Sequence, residues 1–223
     1  MTPKPWSHSA LEDFKNCPRS YYEKRIAKSV TETKGEATIW GEWVHKQFED
    51  RLVDGVVLPD TIAMHEPFLA RLEALPGEQF VEQKIALNRR GQPCEFFAPD
   101  VWYRGVIDYK KVSGQTALLI DHKSGKVHQK YGQLSLFALH TFAQHPEVNT
   151  IRADYYWTQT MTKAGNTYQR SDIAAMWAPF LPDLRQYAQA FREDSWQPRQ
   201  SGLCNGWCPV TDCEFWRAKR RRG

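Results

Sequence analysis

The 223-residue sequence predicts a mixed α/β fold, with helices first and then a small sheet carrying a crossover helix. Three observations predict it. Apolar residues recur at helical spacing over much of the first 75 positions, and between 80 and 123 the spacing changes to two. A strongly apolar helical stretch at 128–145 then separates those strands from a fourth around 151–157. Hydrophobic residues make up 41% of the chain and aromatics 13%, which supplies a core and excludes a disordered or fibrous polymer.

Taken in order, Ser9-Ala-Leu-Glu12 reads as a capping box opening a short helix that turns Leu11 and Phe14 inward. Pro18 suits the first position of a second helix through Tyr21, Tyr22 and Ile26, which leaves Cys17 at the junction. Trp40, Val44, Phe48 and Leu52 mark a helix over 36–53, ended by Asp54-Gly55, and another is expected over 61–75. Strands follow at 80–87, 101–109 and 116–123, the last two joined as a hairpin through Ser113-Gly114. Leu134, Phe137, Ala138 and Phe142 face inward on the crossover helix, and Ile151, Ala153, Tyr155 and Trp157 alternate as a strand. Asp172 caps a last helix that Pro182 kinks or divides. No repeat or low-complexity linker interrupts the chain, so one domain over 1–223 is expected. Within it, helices at 7–35 precede a core at 36–160, a helical and cysteine-rich segment at 172–216 and a basic tail at 217–223.

Thirty Lys and Arg against 26 Asp and Glu leave a formal charge of +4, which permits an anionic partner without demanding one. No apolar run approaches the roughly 18 residues of a membrane span, and the start lacks a secretory apolar stretch, so a cytoplasmic protein is expected. Lys110, Lys111, Lys126, Lys130 and the run from Arg217 to Arg222 either track a phosphate backbone or form solvated surface. Trp40, Trp43, Trp157 and Trp177 stand at core spacing. Of Trp102 and Tyr103, adjacent on one strand, one faces outward and can stack on a base.

The chemistry gathers in the middle of the chain. Asp121-His122-Lys123 ends an apolar strand, with Asp121 and Lys123 on one face. An Asp-x-Lys triplet alone is a common surface ion pair, but the hairpin brings Asp108 beside Asp121. Two carboxylates held together repel, and a hard divalent cation between them resolves the repulsion. Gly105 either admits a close neighbour or marks a bulge. His45, one helical turn after Gly41, borders the apolar stripe as a core residue or a ligand. Glu82 interrupts a buried-looking strand and reads as an edge-strand solvent group or a site carboxylate.

Five cysteines are present; Cys204, Cys208 and Cys213 crowd the end, Cys17 lies near the start, and Cys94 sits in a loop as a bystander. Clustered thiols in a reducing compartment point to metal rather than disulfides.

The order Gly41-x-x-x-His45, Glu82, Gly105-x-x-Asp108, Asp121-x-Lys123-Ser-Gly-Lys126 and then Gln133 resembles the PD-(D/E)XK nucleases, specifically their RecB-like clade. Ser9-x-Leu11-x-x-Phe14-x-x-Cys17-Pro18-x-x-Tyr21 resembles the opening helix of that clade, and the likeness runs from residue 7 to about 216. It implies a restriction-endonuclease-like core sheet flanked by helices, and a metal-dependent DNA nuclease, with an exonuclease acting at DNA ends preferred. It implies Mg²⁺ or Mn²⁺ held by His45, Asp108, Asp121 and the backbone carbonyl of His122. Lys123 then orients or deprotonates the attacking water, and Glu82 assists through a water or a second metal. Gln133 is implied as a supporting or DNA-contacting residue. Phe137 occupies the family's Tyr position, for which Tyr131 is a candidate substitute. The resemblance further implies a [4Fe–4S] cluster on Cys17, Cys204, Cys208 and Cys213, joining the N-terminal helices to the C-terminal segment. Here the spacing departs from the usual C-x-x-C, so structural Zn²⁺ or unligated thiols stay open as alternatives. DNA, single-stranded or with free ends, is the expected partner, with a helicase, recombinase or integrase alongside in a phage or bacterial setting. The alternatives are a nuclease of CRISPR adaptation and an inactive Cys₄-stapled DNA-binding subunit; intact His45, Asp108, Asp121 and Lys123 argue against the second.

Overall fold

The computed structural model describes residues 1–218; the expected basic run from Lys219 to Arg222 lies outside the described residues. The chain divides into two compact units, residues 34–176 and a second built from 1–33 together with the segment from Trp177 onward. In chain order the elements are α1 (His8–Asn16), α2 (Pro18–Tyr22) running into a π turn over Glu23–Ala27, α3 (Glu36–Asp54), a 3₁₀ turn over Asp60–His65 and α4 (Glu66–Glu73). Then come β1 (Glu78–Asn88), β2 (Val101–Ser113), β3 (Thr116–Lys123), α5 (Gly132–Gln144), β4 (Thr150–Trp157), β5 (Thr162–Gln169), α6 (Ile173–Trp177) and α7 (Leu181–Glu193).

In the 34–176 unit the five strands form one sheet in sequence order. Neighbours run antiparallel except β3 and β4, which are parallel and joined by α5, since parallel neighbours need a crossover. The apolar stripe of α3 (Val44, Phe48, Leu52) packs with Phe68, Leu69 and Leu72 of α4 onto Tyr109, Ile120 and Tyr156 of the sheet. Every residue of α5 from Leu134 to Phe142 is buried, so this helix serves as core rather than as an amphipathic cover. The β2–β3 ladder ends at Tyr109–Ile120, so from Asp108 back to Val101 the partner strand of β2 is β1. The sheet thus continues past the end of that ladder as a two-stranded arm.

The terminal unit is held by an aromatic cluster. Phe14 meets Tyr21 and Tyr187 edge-on, Tyr187 and Phe191 pack on the same group, and the Tyr21 and Tyr187 hydroxyls share a 2.6 Å hydrogen bond.

Several expectations change. Ser7, not Ser9, caps α1, because its hydroxyl accepts from the Ala10 N–H. The helix expected after Asp172 is divided, as one of the two readings of Pro182 had it: α6 ends at Trp177, a 3₁₀ turn follows, and Pro182 stands in the first turn of α7, where its missing N–H costs nothing. The helix expected over 61–75 is a 3₁₀ turn followed by α4, and α5 starts at Gly132 rather than 128. Trp40 is 43% exposed and meets the Trp43 ring at a tilt instead of joining the core. Lys110 and Lys111 are buried; Lys110 Nζ donates to Gln144 Oε1 (2.9 Å) over the Phe80 ring, so neither tracks a phosphate backbone. Strand β5 escapes sequence reading because its residues, apart from Tyr168, stay out of the core and show no alternation. No helix among the described residues is long and apolar enough to cross a membrane.

Candidate metal centre

The centre forms where the β2–β3 ladder stops. Asp108 and Asp121 are the next facing pair after Tyr109–Ile120, and in place of a further rung the Asp108 carboxylate accepts the His122 backbone N–H (Oδ2, 2.6 Å). This bond holds a carboxylate in the sheet edge and aims the His122 carbonyl toward α3. There His45 Nε2 lies 3.0 Å from the His122 carbonyl oxygen, and His45 Nδ1 lies 3.4 Å from Asp108 Oδ2. The approach depends on Gly41: a Cβ there would stand 2.4 Å from Ser124 Oγ, so the bare glycine lets α3 close on the segment after β3.

Asp121, Lys123 and Gln133 interlock beside this point. Gln133 Nε2 donates to Asp121 Oδ1 (3.0 Å), and Lys123 Nζ donates to Gln133 Oε1 (2.9 Å). Lys123 Nζ also lies 2.5 Å from Asp121 Oδ2 as an ion pair, though without hydrogen-bond geometry, so that buried oxygen keeps acceptor capacity. The strand pair Asp121–Tyr155 and Lys123–Trp157 sets these side chains against β4, with Lys123 Nζ 5.0 Å from the centre of the Tyr155 ring.

Glu82 has a left-handed φ of 48° in the middle of β1, opposite Asp108. A non-glycine residue rarely adopts this conformation, and in a strand it breaks the alternation of faces. Alternation is also lost on β2. Lys110 reaches α5 at Gln144, and a Cβ on Gly105 would also meet α5, 3.1 Å from Phe137 Cε1, although the two positions differ by an odd number. Gly105 itself pairs in regular register with Ile85, so it is a packing position and not a bulge. Glu82 lines a groove of about 690 Å³ with His45, Lys46, Glu49, Lys123 and Ser124.

The electrostatics record a crowd of carboxylates. Burial first, and then Asp121 and Glu82, push the Asp108 carboxyl well above its ordinary range. Burial, with Glu49 and Asp121, also raises Glu82. Burial holds His45 and His122 toward the neutral imidazole, the form that ligates metal. His45, Asp108 and His122 each offer a ligand atom within a 4.8 Å circle. The His122 ring is a feature that sequence reasoning missed: its Nδ1 stands 3.6 Å from Asp108 Oδ2. Hard carboxylate and carbonyl oxygens with an imidazole are a donor set that suits Mn²⁺ or Mg²⁺, and the buried Asp108 carboxylate, which has no ion pair to Lys or Arg among the described residues, fits a divalent cation. Tyr131, the proposed stand-in for the family tyrosine, instead precedes α5 and stacks on Tyr155 at 6.0 Å.

In the terminal unit Cys17, Cys204, Cys208 and Cys213 line one cavity of about 100 Å³. Cys17 Sγ accepts the backbone N–H groups of Ser20 (3.5 Å) and Arg199 (3.4 Å), and Cys204 Sγ accepts that of Ser201 (3.4 Å). Cys94 lies in the other unit, and all five are free thiols.

The model of the PD-(D/E)XK nuclease superfamily matches residues 5–213. A crystal structure from Eubacterium rectale, named "Putative exonuclease", is similar in fold, with a TM-score of 0.51 at 12% identity, covering 91% of this chain and 86% of that one. No curated protein sequence matches this chain.

Proposed function

This chain belongs to the PD-(D/E)XK nuclease superfamily, and on that premise we propose that it is a Mg²⁺- or Mn²⁺-dependent deoxyribonuclease that degrades DNA from its ends. The observation that carries the reading is the meeting of His45, the His122 carbonyl and the Asp108 carboxylate, with Asp121 paired to Lys123 at the end of the same strand β3. His45, Asp108, Asp121 and the His122 carbonyl would hold the cation, which when bound supplies Lewis acidity at the scissile phosphate and a more acidic water. The protein's own work is positional. Gln133 clamps Asp121 and Lys123 together, so the ammonium is fixed where negative charge develops on the phosphate and where it can orient the attacking water. Glu82, its proton affinity raised by burial, is suited to take a proton from a water in the groove.

The four cysteines around one cavity support a [4Fe–4S] cluster as a staple for the terminal unit. The three backbone N–H groups aimed at Cys17 and Cys204 are the kind of donors that stabilise cluster thiolates.

The test is digestion of end-labelled linear DNA beside a closed circle in Mn²⁺, wild type against Asp121→Ala. Loss of the linear DNA alone, in wild type alone, is expected. Cutting of the circle makes the enzyme an endonuclease at the same site. Undiminished cutting by Asp121→Ala removes the site assignment, and no cutting of any DNA removes the nuclease reading.

A further inference from the structure

The arm formed by β1 and β2 carries a second feature that the metal centre does not use. Arg104 on β2 packs into the corner between the Phe96 and Phe97 rings, whose planes stand at 82° with centroids 5.1 Å apart. Its guanidinium carbon is 5.2 Å from each ring centre. Its Nε is buried without a hydrogen-bond partner, and no ion pair to Arg104 occurs among the described residues. A guanidinium set in place by two aromatic rings and left without an anion has already lost the side-chain freedom that binding would cost. Phe97 is 77% exposed, far more than a ring needs to be if it serves only to brace an arginine. Lys84 stands exposed on the neighbouring strand, 6.0 Å from the centre of the Phe96 ring, and the half-buried Trp102 precedes Arg104 by two residues.

Position turns this cluster into a path. Arg104 lies four residues from Asp108 along one strand, about 13 Å at the rise of an extended chain. Lys84 faces Val106, between the two. A chain of phosphates a few nucleotides long spans that interval, with bases free to lie on an exposed ring.

We propose that Arg104, Lys84, Phe96 and Phe97 form a binding platform for single-stranded nucleic acid, engaging the strand a few nucleotides from the scissile phosphate. The platform rests on the nuclease reading for its scissile phosphate, but its own residues supply the recognition. Arg104 and Lys84 meet phosphates, and the face of Phe97 takes a base, a contact open to any sequence because every base has a π face. A duplex keeps its bases stacked and paired, so the exposed ring selects the unpaired strand.

The experiment is fluorescence anisotropy of a labelled single-stranded oligonucleotide and of the matching duplex, in EDTA so that nothing is cut. Wild type is compared with Phe97→Ala and Arg104→Gln, and the thermal midpoint of each is measured. Phe97→Ala is expected to weaken single-strand binding about tenfold and to leave duplex binding within twofold. Arg104→Gln is expected to reduce the slope of log affinity against log salt by about one. Unchanged single-strand affinity in both folded variants overturns the platform, and equal losses on strand and duplex overturn its selectivity. Mn²⁺-dependent cleavage by the same wild-type preparation separates the two readings. An enzyme that cuts while its variants bind normally loses only the platform; one that neither binds nor cuts loses the nuclease reading with it.

Discussion

At Glu82 a single backbone angle bears on a role, proposed above, that residue type leaves open. A carboxylate in an apolar strand is a weak signal, and the competing edge-strand reading is correct as far as topology goes, because β1 is an edge. The left-handed φ of 48° opposite Asp108 tilts the balance, since an L-residue in that region costs about 1–2 kcal/mol and persists only where neighbours enforce it. Two variants separate strain from chemistry. Glu82→Gly and Glu82→Ala both remove the carboxylate and are expected to cut DNA at least tenfold more slowly. Only glycine tolerates the angle freely, so Glu82→Gly should exceed Glu82→Ala in stability by about 1 kcal/mol. Urea denaturation of the pair measures it, and equal midpoints would show that the strand relaxes when the side chain goes. Asp108, Asp121 and Lys123 were legible because a hairpin turn fixes which residues face each other. The His122 ring was not, because alternation sends it to the opposite face from Asp121, and only the tertiary approach of α3 brings His45 against it.

At the scale of elements, α3 has to approach the end of β3 within van der Waals contact for His45 to reach the His122 carbonyl. Gly41 and Ser124 make that contact. Gly41→Ala gains helix propensity of about 1 kcal/mol, so the fold should tolerate it, yet its methyl would displace the Ser124 side chain and tilt His45 away. Cleavage is expected to fall about tenfold in Gly41→Ala, with little change in the urea midpoint. Adding Ser124→Gly clears the space and should restore most of the rate. A single variant as active as wild type, or a double variant no better than the single, would show that this contact does not position His45. Most helices and four strands were legible because apolar residues concentrate along them, even where burial runs unbroken, as in α5. Strand β5 was not, since it joins the sheet through backbone hydrogen bonds and buries only Tyr168. The cap of α1 was misread for a local reason: Ser7 and Ser9 are both competent caps, and the choice depends on where the chain enters the helix.

At the scale of the molecule the two units carry separate liabilities, and each can be read on its own. On the proposed cluster reading, the terminal unit depends on a metal cluster in the cysteine cavity. Cys208→Ser is expected to lower bound iron and to expose residues 1–33 and the chain beyond Trp177 to protease, while leaving 34–176 resistant. A colourless, metal-free wild type with full protease resistance would remove the staple. The 34–176 unit carries instead a burden of buried neutral histidine. His140, on the buried face of α5, is 3% exposed, and burial, aided by the nearby Lys110 charge, lowers it to about 3. Above pH 6.5 the group is neutral in both folded and unfolded chains and has no effect on stability. As pH falls from 6.5 toward 3, the unfolded chain takes up a proton that the folded one refuses. Unfolding then gains roughly 1.4 kcal/mol for each pH unit, or about 2 kcal/mol at pH 5. Asp108 works in the opposite sense, because a carboxyl raised by burial takes its proton more readily when folded, so the raw pH profile mixes the two. The difference between wild type and His140→Leu isolates the histidine. Leucine fills a comparable buried volume without a titrating nitrogen, so the variant should lose about 2 kcal/mol less stability than wild type between pH 7 and pH 5. Urea midpoints at the two pH values give the comparison; parallel losses in both proteins would mean that His140 is protonated within the fold and that the acid sensitivity of the core lies elsewhere.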